Sequence, residues 1–135
     1  MPADTVRIAA CRCGALTAAC TGEPVRVSVC HCLDCQRRSG SAFAAQARFP
    51  AADVTILGDS RTWEDKREDG RWFRSRFCPT CGSTICYAIA AMPGLLAIPT
   101  GAFADPAFPP PDYSVYEGRK HAWVAVLGEG IEHHD

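Results

Sequence analysis

The chain has 135 residues, a length that fills one domain and leaves too few for a second core, so residues 1–135 are read as a single domain. Its 47% hydrophobic and 21% charged composition excludes a wholly disordered or collagen-like chain. The net charge of -1 provides no global positive field for nucleic acid, but nine cysteines are far from ordinary.

In chain order, short apolar or β-branched runs recur between turn signals at residues 6–10, 25–29, 42–49, 54–57, 72–77, 85–89, 95–98 and 123–127. Many short strands at regular spacing predict an all-β domain. The clearest hairpin joins residues 61–64 to 71–74 through a polar turn at 65–70, with bulky and charged residues alternating on both arms. One short helix is expected at 34–39, ended by Gly40. The proline-rich segment 105–112 reads as a surface loop, and His133-His134 as a frayed, solvated terminus.

The N-terminus has no basic stretch followed by an apolar one, and the longest apolar stretch, 88–98, is broken by Pro93 and Gly94. A cytoplasmic protein without membrane contact is therefore expected. In a reducing compartment, clustered cysteines read as metal ligands or redox groups, and an odd number of them argues against a fully paired disulfide framework.

Seven cysteines form three groups: Cys11-Arg12-Cys13-Gly14, Cys30-His31-Cys32-Leu33-Asp34-Cys35 and Cys78-Pro79-Thr80-Cys81-Gly82, with Cys20 and Cys86 apart. Thiolates one or two residues apart on a tight turn aim at one point, as tetrahedral zinc requires. Seven ligands divide economically into four plus three. Cys11, Cys13, Cys78 and Cys81 would close a structural zinc site, whereas Cys30, Cys32 and Cys35 would leave a fourth position open to a substrate, as catalytic zinc sites do. Completion of the second site by Cys20, Cys86 or His31 is the alternative partition. A redox reading of either CxxC pair leaves five clustered cysteines unexplained.

These clusters, with the run from Cys30 through Gln36-Arg37-Arg38-Ser39-Gly40-Ser41-Ala42-Phe43, Phe77-Cys78-Pro79-Thr80-Cys81-Gly82-Ser83, Gly101-Ala102-Phe103-Ala104-Asp105-Pro106 and Trp123, resemble the glutathione-dependent formaldehyde-activating enzymes and their relatives, which include the vertebrate centromere protein V. Ala104 stands where the family carries an aspartate, and Gln36 where arginine is frequent. The resemblance implies a β-tent of small antiparallel sheets organised around two zinc ions, one structural and one catalytic, divided as above. It also implies a carbon-sulfur lyase or synthase reaction on a glutathione-type thiol, such as formation or cleavage of S-(hydroxymethyl)glutathione.

Three cysteinates outweigh the charge of one divalent zinc, which favours delivery of a bound thiolate over generation of hydroxide. Arg37 and Arg38 are placed to meet substrate carboxylates, or else form a solvated helix end. Asp34 is read as orienting a ligand or starting the helix, and His31 and His121 as weaker proton carriers. Acidic Glu64, Asp65, Glu68 and Asp69 beside Trp63, Trp72, Phe73 and Phe77 argue against a base-stacking platform, so no nucleic-acid partner is expected. An exposed strand edge leaves a homodimer open. The alternative function is a noncatalytic, zinc-stabilised protein-binding module.

Overall fold

The computed structural model describes residues 5–135. Eleven strands and one α-helix follow one another as β1 (Val6–Ala10), β2 (Thr17–Thr21), β3 (Arg26–Cys30), α1 (Leu33–Ser39), β4 (Ala44–Pro50), β5 (Val54–Leu57), β6 (Arg61–Lys66), β7 (Trp72–Phe77), β8 (Thr84–Ile89), β9 (Leu95–Pro99), β10 (Tyr113–Val115) and β11 (Glu132–His133). They form a small sheet, β1-β2-β5, and a larger one ordered β11-β10-β3-β4-β9-β8-β7-β6. Pairing is antiparallel except where β10 runs parallel to both β3 and β11. The all-β expectation holds, with the parallel corner as an addition.

Seven of the eight expected strand runs contain a strand. The hairpin is longer than its sequence pattern indicates, since Lys66 pairs with Trp72 and only residues 67–71 form the turn. The run 123–127 is not a strand: Trp123 is 75% and Leu127 85% exposed, and of its apolar residues only Val124 is buried. The proline-rich loop does cross the surface, but it also buries Phe108, whose ring stacks on Phe103 at 4.5 Å between centroids.

The chain end is likewise ordered. β11 joins the sheet, His133 Nδ1 lies 2.7 Å from Glu117 Oε2, and the His134 amide donates to the Ser114 carbonyl. Backbone pairing with β10 supplies the hydrogen bonds that a frayed terminus lacks.

Strand alternation divides the large sheet into two working faces. Val27, Ala47, Phe49 and Ile98 belong to the core, with Ala9, Leu16, Ala18 and Cys20 from the first two strands and the β1–β2 turn. The opposite side chains of β3 and β4 are Arg26, Ser28 and Cys30, and Gln46 and Arg48. Polar side chains on that face need a solvent-filled or ligand-filled space.

Candidate metal centres and the adjoining cavity

Two cysteine clusters assemble among the described residues. The ligand atoms of Cys11, Cys13, Cys78 and Cys81 lie within 4.8 Å of one another, and so do those of Cys30, Cys32 and Cys35. Cys20 and Cys86 join neither cluster and are buried in the core, where loss of hydration pushes each thiol up to about 11.

The four-cysteine cluster is built by two turns. Cys11 and Cys13 follow β1, while Cys78 and Cys81 connect β7 to β8. The Leu16 N–H points at Cys11 Sγ at 3.3 Å, and the Thr80 and Cys81 N–H groups point at Cys78 Sγ at 3.4 and 3.5 Å. Such donors favour the thiolate over the thiol. At Cys81, the Ser83 hydroxyl and then the Ser83 backbone amide hold the thiol down to about 5.

The fit to a metal can be tested by distance. A tetrahedron with metal–sulfur bonds near 2.3 Å has sulfur–sulfur edges of about 3.8 Å. Cys11 Sγ to Cys13 Sγ is 3.6 Å and Cys13 Sγ to Cys78 Sγ is 3.7 Å. The donor set and its spacing fit zinc, and the arrangement is closed by four protein ligands.

The three-cysteine cluster comes from one local segment. Cys30 ends β3, Cys32 is the N-cap of α1 and Cys35 lies in its first turn. The Cys35 N–H donates to Cys32 Sγ at 3.3 Å, so a sulfur performs the capping task usually given to a hydroxyl or carboxylate oxygen. Gly40, at φ 70, lets its N–H return to the Gln36 carbonyl and end the helix. A hydrogen bond from Cys35 is the main reason that the Cys30 thiol is held below its ordinary range. The three sulfurs fit a zinc ion with one position left for an outside ligand.

The three cysteines line a cavity of about 850 Å³. Six arginines share the lining: Arg26, Arg37, Arg38, Arg48, Arg67 and Arg71. Trp63, Trp72, Phe73 and Tyr87 provide an aromatic wall, with Phe73 stacked on Tyr87 at 5.2 Å. Burial pushes the Tyr87 hydroxyl up to about 12, so it keeps its proton at neutral pH.

Arg37 and Arg38 both reach the cavity, and the Arg38 guanidinium lies 4.5 Å from the Tyr87 ring centroid. Asp34 is not the cap of α1. Its carboxylate, in the first helical turn, accepts from Arg67 Nη2 at 3.3 Å on the exposed rim. His31 points away from the cysteine cluster: it is fully buried, with Nε2 2.9 Å from Ser114 Oγ. His121 contacts Gln36 Oε1 at 2.8 Å, and neither histidine lines the cavity. Both proton-carrier readings lose their geometric basis.

No motif singles out Arg26, Arg48 or Tyr87. A signal for the first is nevertheless present, because Arg26, Ser28 and Cys30 follow a period of two along β3 and so share a face. Arg48 and Tyr87 come from other strands and meet that face only through pairing.

Residues 6–119 match the sequence family described as glutathione-dependent formaldehyde-activating enzyme. No significant match is found among curated proteins. A crystal structure of a Rhodobacter sphaeroides protein is similar in fold, with a TM-score of 0.54 and 18% identity over 70% of this chain and 85% of that one. With the family match covering most of its length, the chain belongs to the glutathione-dependent formaldehyde-activating enzyme family.

Proposed function

We propose that the protein is a zinc-dependent carbon-sulfur lyase or synthase acting on an adduct between a glutathione-type thiol and a small carbonyl compound, such as S-(hydroxymethyl)glutathione. Cys11, Cys13, Cys78 and Cys81 hold a structural zinc, and Cys30, Cys32 and Cys35 a catalytic one, within one domain spanning 1–135. The observation that carries this reading is the contrast between the clusters: four sulfurs close on themselves, while three line a large cavity.

Cys30, Cys32 and Cys35 would hold the zinc, which would supply the substrate thiol as thiolate, because a coordinating thiol gives up its proton. The chain supplies the rest. Its arginines neutralise substrate carboxylates, and the sheet face beneath them fixes how far the thiol reaches. The Phe73 and Tyr87 rings cover one side and limit water near the reacting carbon. In synthesis a sulfur–carbon bond forms, the carbonyl double bond opens, and its oxygen takes up one proton in place of the one lost from sulfur. Cleavage reverses each change.

The test is metal counting on anaerobically purified protein, followed by exchange spectroscopy on glutathione plus formaldehyde. Two zinc ions per chain and exchange faster than the spontaneous reaction are expected. Exchange at the spontaneous rate with both sites filled would overturn the reaction and leave the binding-module reading.

A further inference from the structure

We propose that Arg26, Arg38 and Arg48 form an oxoanion subsite that takes a carboxylate of the substrate, so that the cavity selects thiols with an anionic end. This rests on the reading of Cys30, Cys32 and Cys35 as the thiol-binding centre.

The first support is the register. Arg26 pairs directly with Arg48 across β3 and β4, next to the Ser28–Gln46 rung. Like charges directly opposite on one face of a sheet repel each other. No carboxylate among the described residues pairs with either, or with Arg38, whereas Arg67 bridges Asp34 and Asp65, and Arg71 holds Asp69.

Burial strengthens the point. Arg48 is only 8% exposed, and its one side-chain hydrogen bond runs from Nη1 to Ser28 Oγ at 3.2 Å. A buried guanidinium without a counter-charge is unfavourable, and its planar fork is shaped for a carboxylate. The Arg26 guanidinium lies 3.9 Å from the Tyr113 ring centroid, which holds it in place without occupying its in-plane donors. Gln46 adds an acceptor: its Nε2 donates to Ser28 Oγ at 2.7 Å, while its buried Oε1 has no partner. An ammonium or amide N–H beside the carboxylate would satisfy it.

The strand also sets a ruler. Cys30 lies four positions beyond Arg26, roughly 13 Å of extended backbone. Both ends of that span line the cavity, and an arginine side chain is long enough to cover only part of it. A peptide-sized thiol bridges the remainder, and a two-carbon thiol does not.

The experiment measures calorimetric binding of S-methylglutathione to the zinc-loaded protein. This ligand keeps both carboxylates but has no free thiol, so it reports on the arginines alone. It should bind at least about tenfold more tightly than its dimethyl ester, a factor equal to about 1.4 kcal/mol. Arg26→Gln and Arg48→Gln should each remove most of that preference, and added salt should weaken binding of the acid more than of the ester.

Arg26 is only partly buried, so Arg26→Gln keeps the test valid if Arg48→Gln fails to fold. Equal binding of acid and ester, or an unchanged preference in Arg26→Gln, would overturn the subsite. Inorganic phosphate binding more tightly than S-methylglutathione would overturn it in favour of a free-anion site. Failure of the formaldehyde exchange assay alone would sink the proposed reaction, not the subsite.

Discussion

Cys13 and Cys78 are 65 positions apart in the chain, yet their Sγ atoms stand 3.7 Å from each other. The contact ties the turn after β1 to the turn between β7 and β8, and so joins the small sheet to the large one. The Arg12 amide reinforces it by donating to Ser83 Oγ at 3.1 Å. Structural zinc in small domains contributes about 10–16 kcal/mol. A whole domain has a net stability of only about 5–15 kcal/mol, so removing a zinc held by these four cysteines should unfold the chain. Cys78→Ser is expected to abolish cooperative thermal unfolding. Cys32→Ser should instead fold with one zinc, because serine is itself a good N-cap for α1. Zinc content and circular dichroism of the two variants, measured side by side, check the contrast.

Gly58 fixes the loop behind the same cluster. A Cβ built at this position would lie 2.1 Å from the Ala15 carbonyl oxygen, and φ is +106. Neither the contact nor the backbone angle suits any other residue. Gly58→Ala should therefore destabilise by at least about 2 kcal/mol, read from the urea midpoint. An unchanged midpoint would mean that the 15–16 segment yields freely.

Ala104 presents the opposite case. It occupies the left-handed region at φ 51, after the 3₁₀ turn Thr100–Phe103, although alanine has no side chain to favour that conformation. The backbone at this position thus favours a short polar residue or glycine. Ala104→Asn and Ala104→Gly should both stabilise, by about 0.5–1 kcal/mol, and raise Tm by a few degrees. A lower Tm in both would show that the alanine methyl makes a contact worth more than the strain.

Local patterns in the sequence carry most of the strands. The β-branched and aromatic runs of β1, β3, β5 and β7 stand out because they alternate or are bounded by turn residues. β2 does not stand out: Thr17-Ala18-Ala19-Cys20-Thr21 has weak intrinsic strand preference, and small residues there allow close packing onto the core. β10 and β11 have only three and two residues, and the residue before β10, Asp112, is tied to β3 through its side chain, which accepts from the Val27 amide at 3.0 Å. The cysteine groups are legible because their ligands are close in sequence. The arginine floor is not, because Arg26 and Arg48 meet only through β3–β4 register.

The ordered chain end makes a pH prediction. The His133 ring beside Glu117, and next the Ser114 hydroxyl, hold the Glu117 carboxyl below its ordinary value of 4.5. A carboxyl depressed in the folded state contributes stability above its unfolded pKa, and that contribution is lost as pH falls through the folded value. Docking of β11 should accordingly weaken below about pH 4.5. Amide exchange at His134 should accelerate on acidification relative to the core of β4, and Glu117→Gln should remove the difference. Equal protection at pH 7 and at low pH would refute the role of this pair.

Gln36 offers a last test, of positioning rather than ligation. Its Nε2 donates to the His31 carbonyl at 2.8 Å and the Arg119 carbonyl at 3.1 Å, while Oε1 meets His121 Nε2. One side chain thereby braces α1, with Cys35 on it, against the end of β3, where Cys30 lies, and against the segment at 119–121. Groups that orient ligands from behind typically change metal affinity by about 10–100-fold. Gln36→Ala should weaken zinc at Cys30, Cys32 and Cys35 by about tenfold in chelator competition and leave the four-cysteine site intact. Gln36→Glu keeps an acceptor for His121 but loses both carbonyl contacts. It should resemble Gln36→Ala if the carbonyl contacts dominate, and wild type if the histidine contact does. Undiminished affinity in both variants would mean that the Cys30–Cys35 segment holds its shape without the brace.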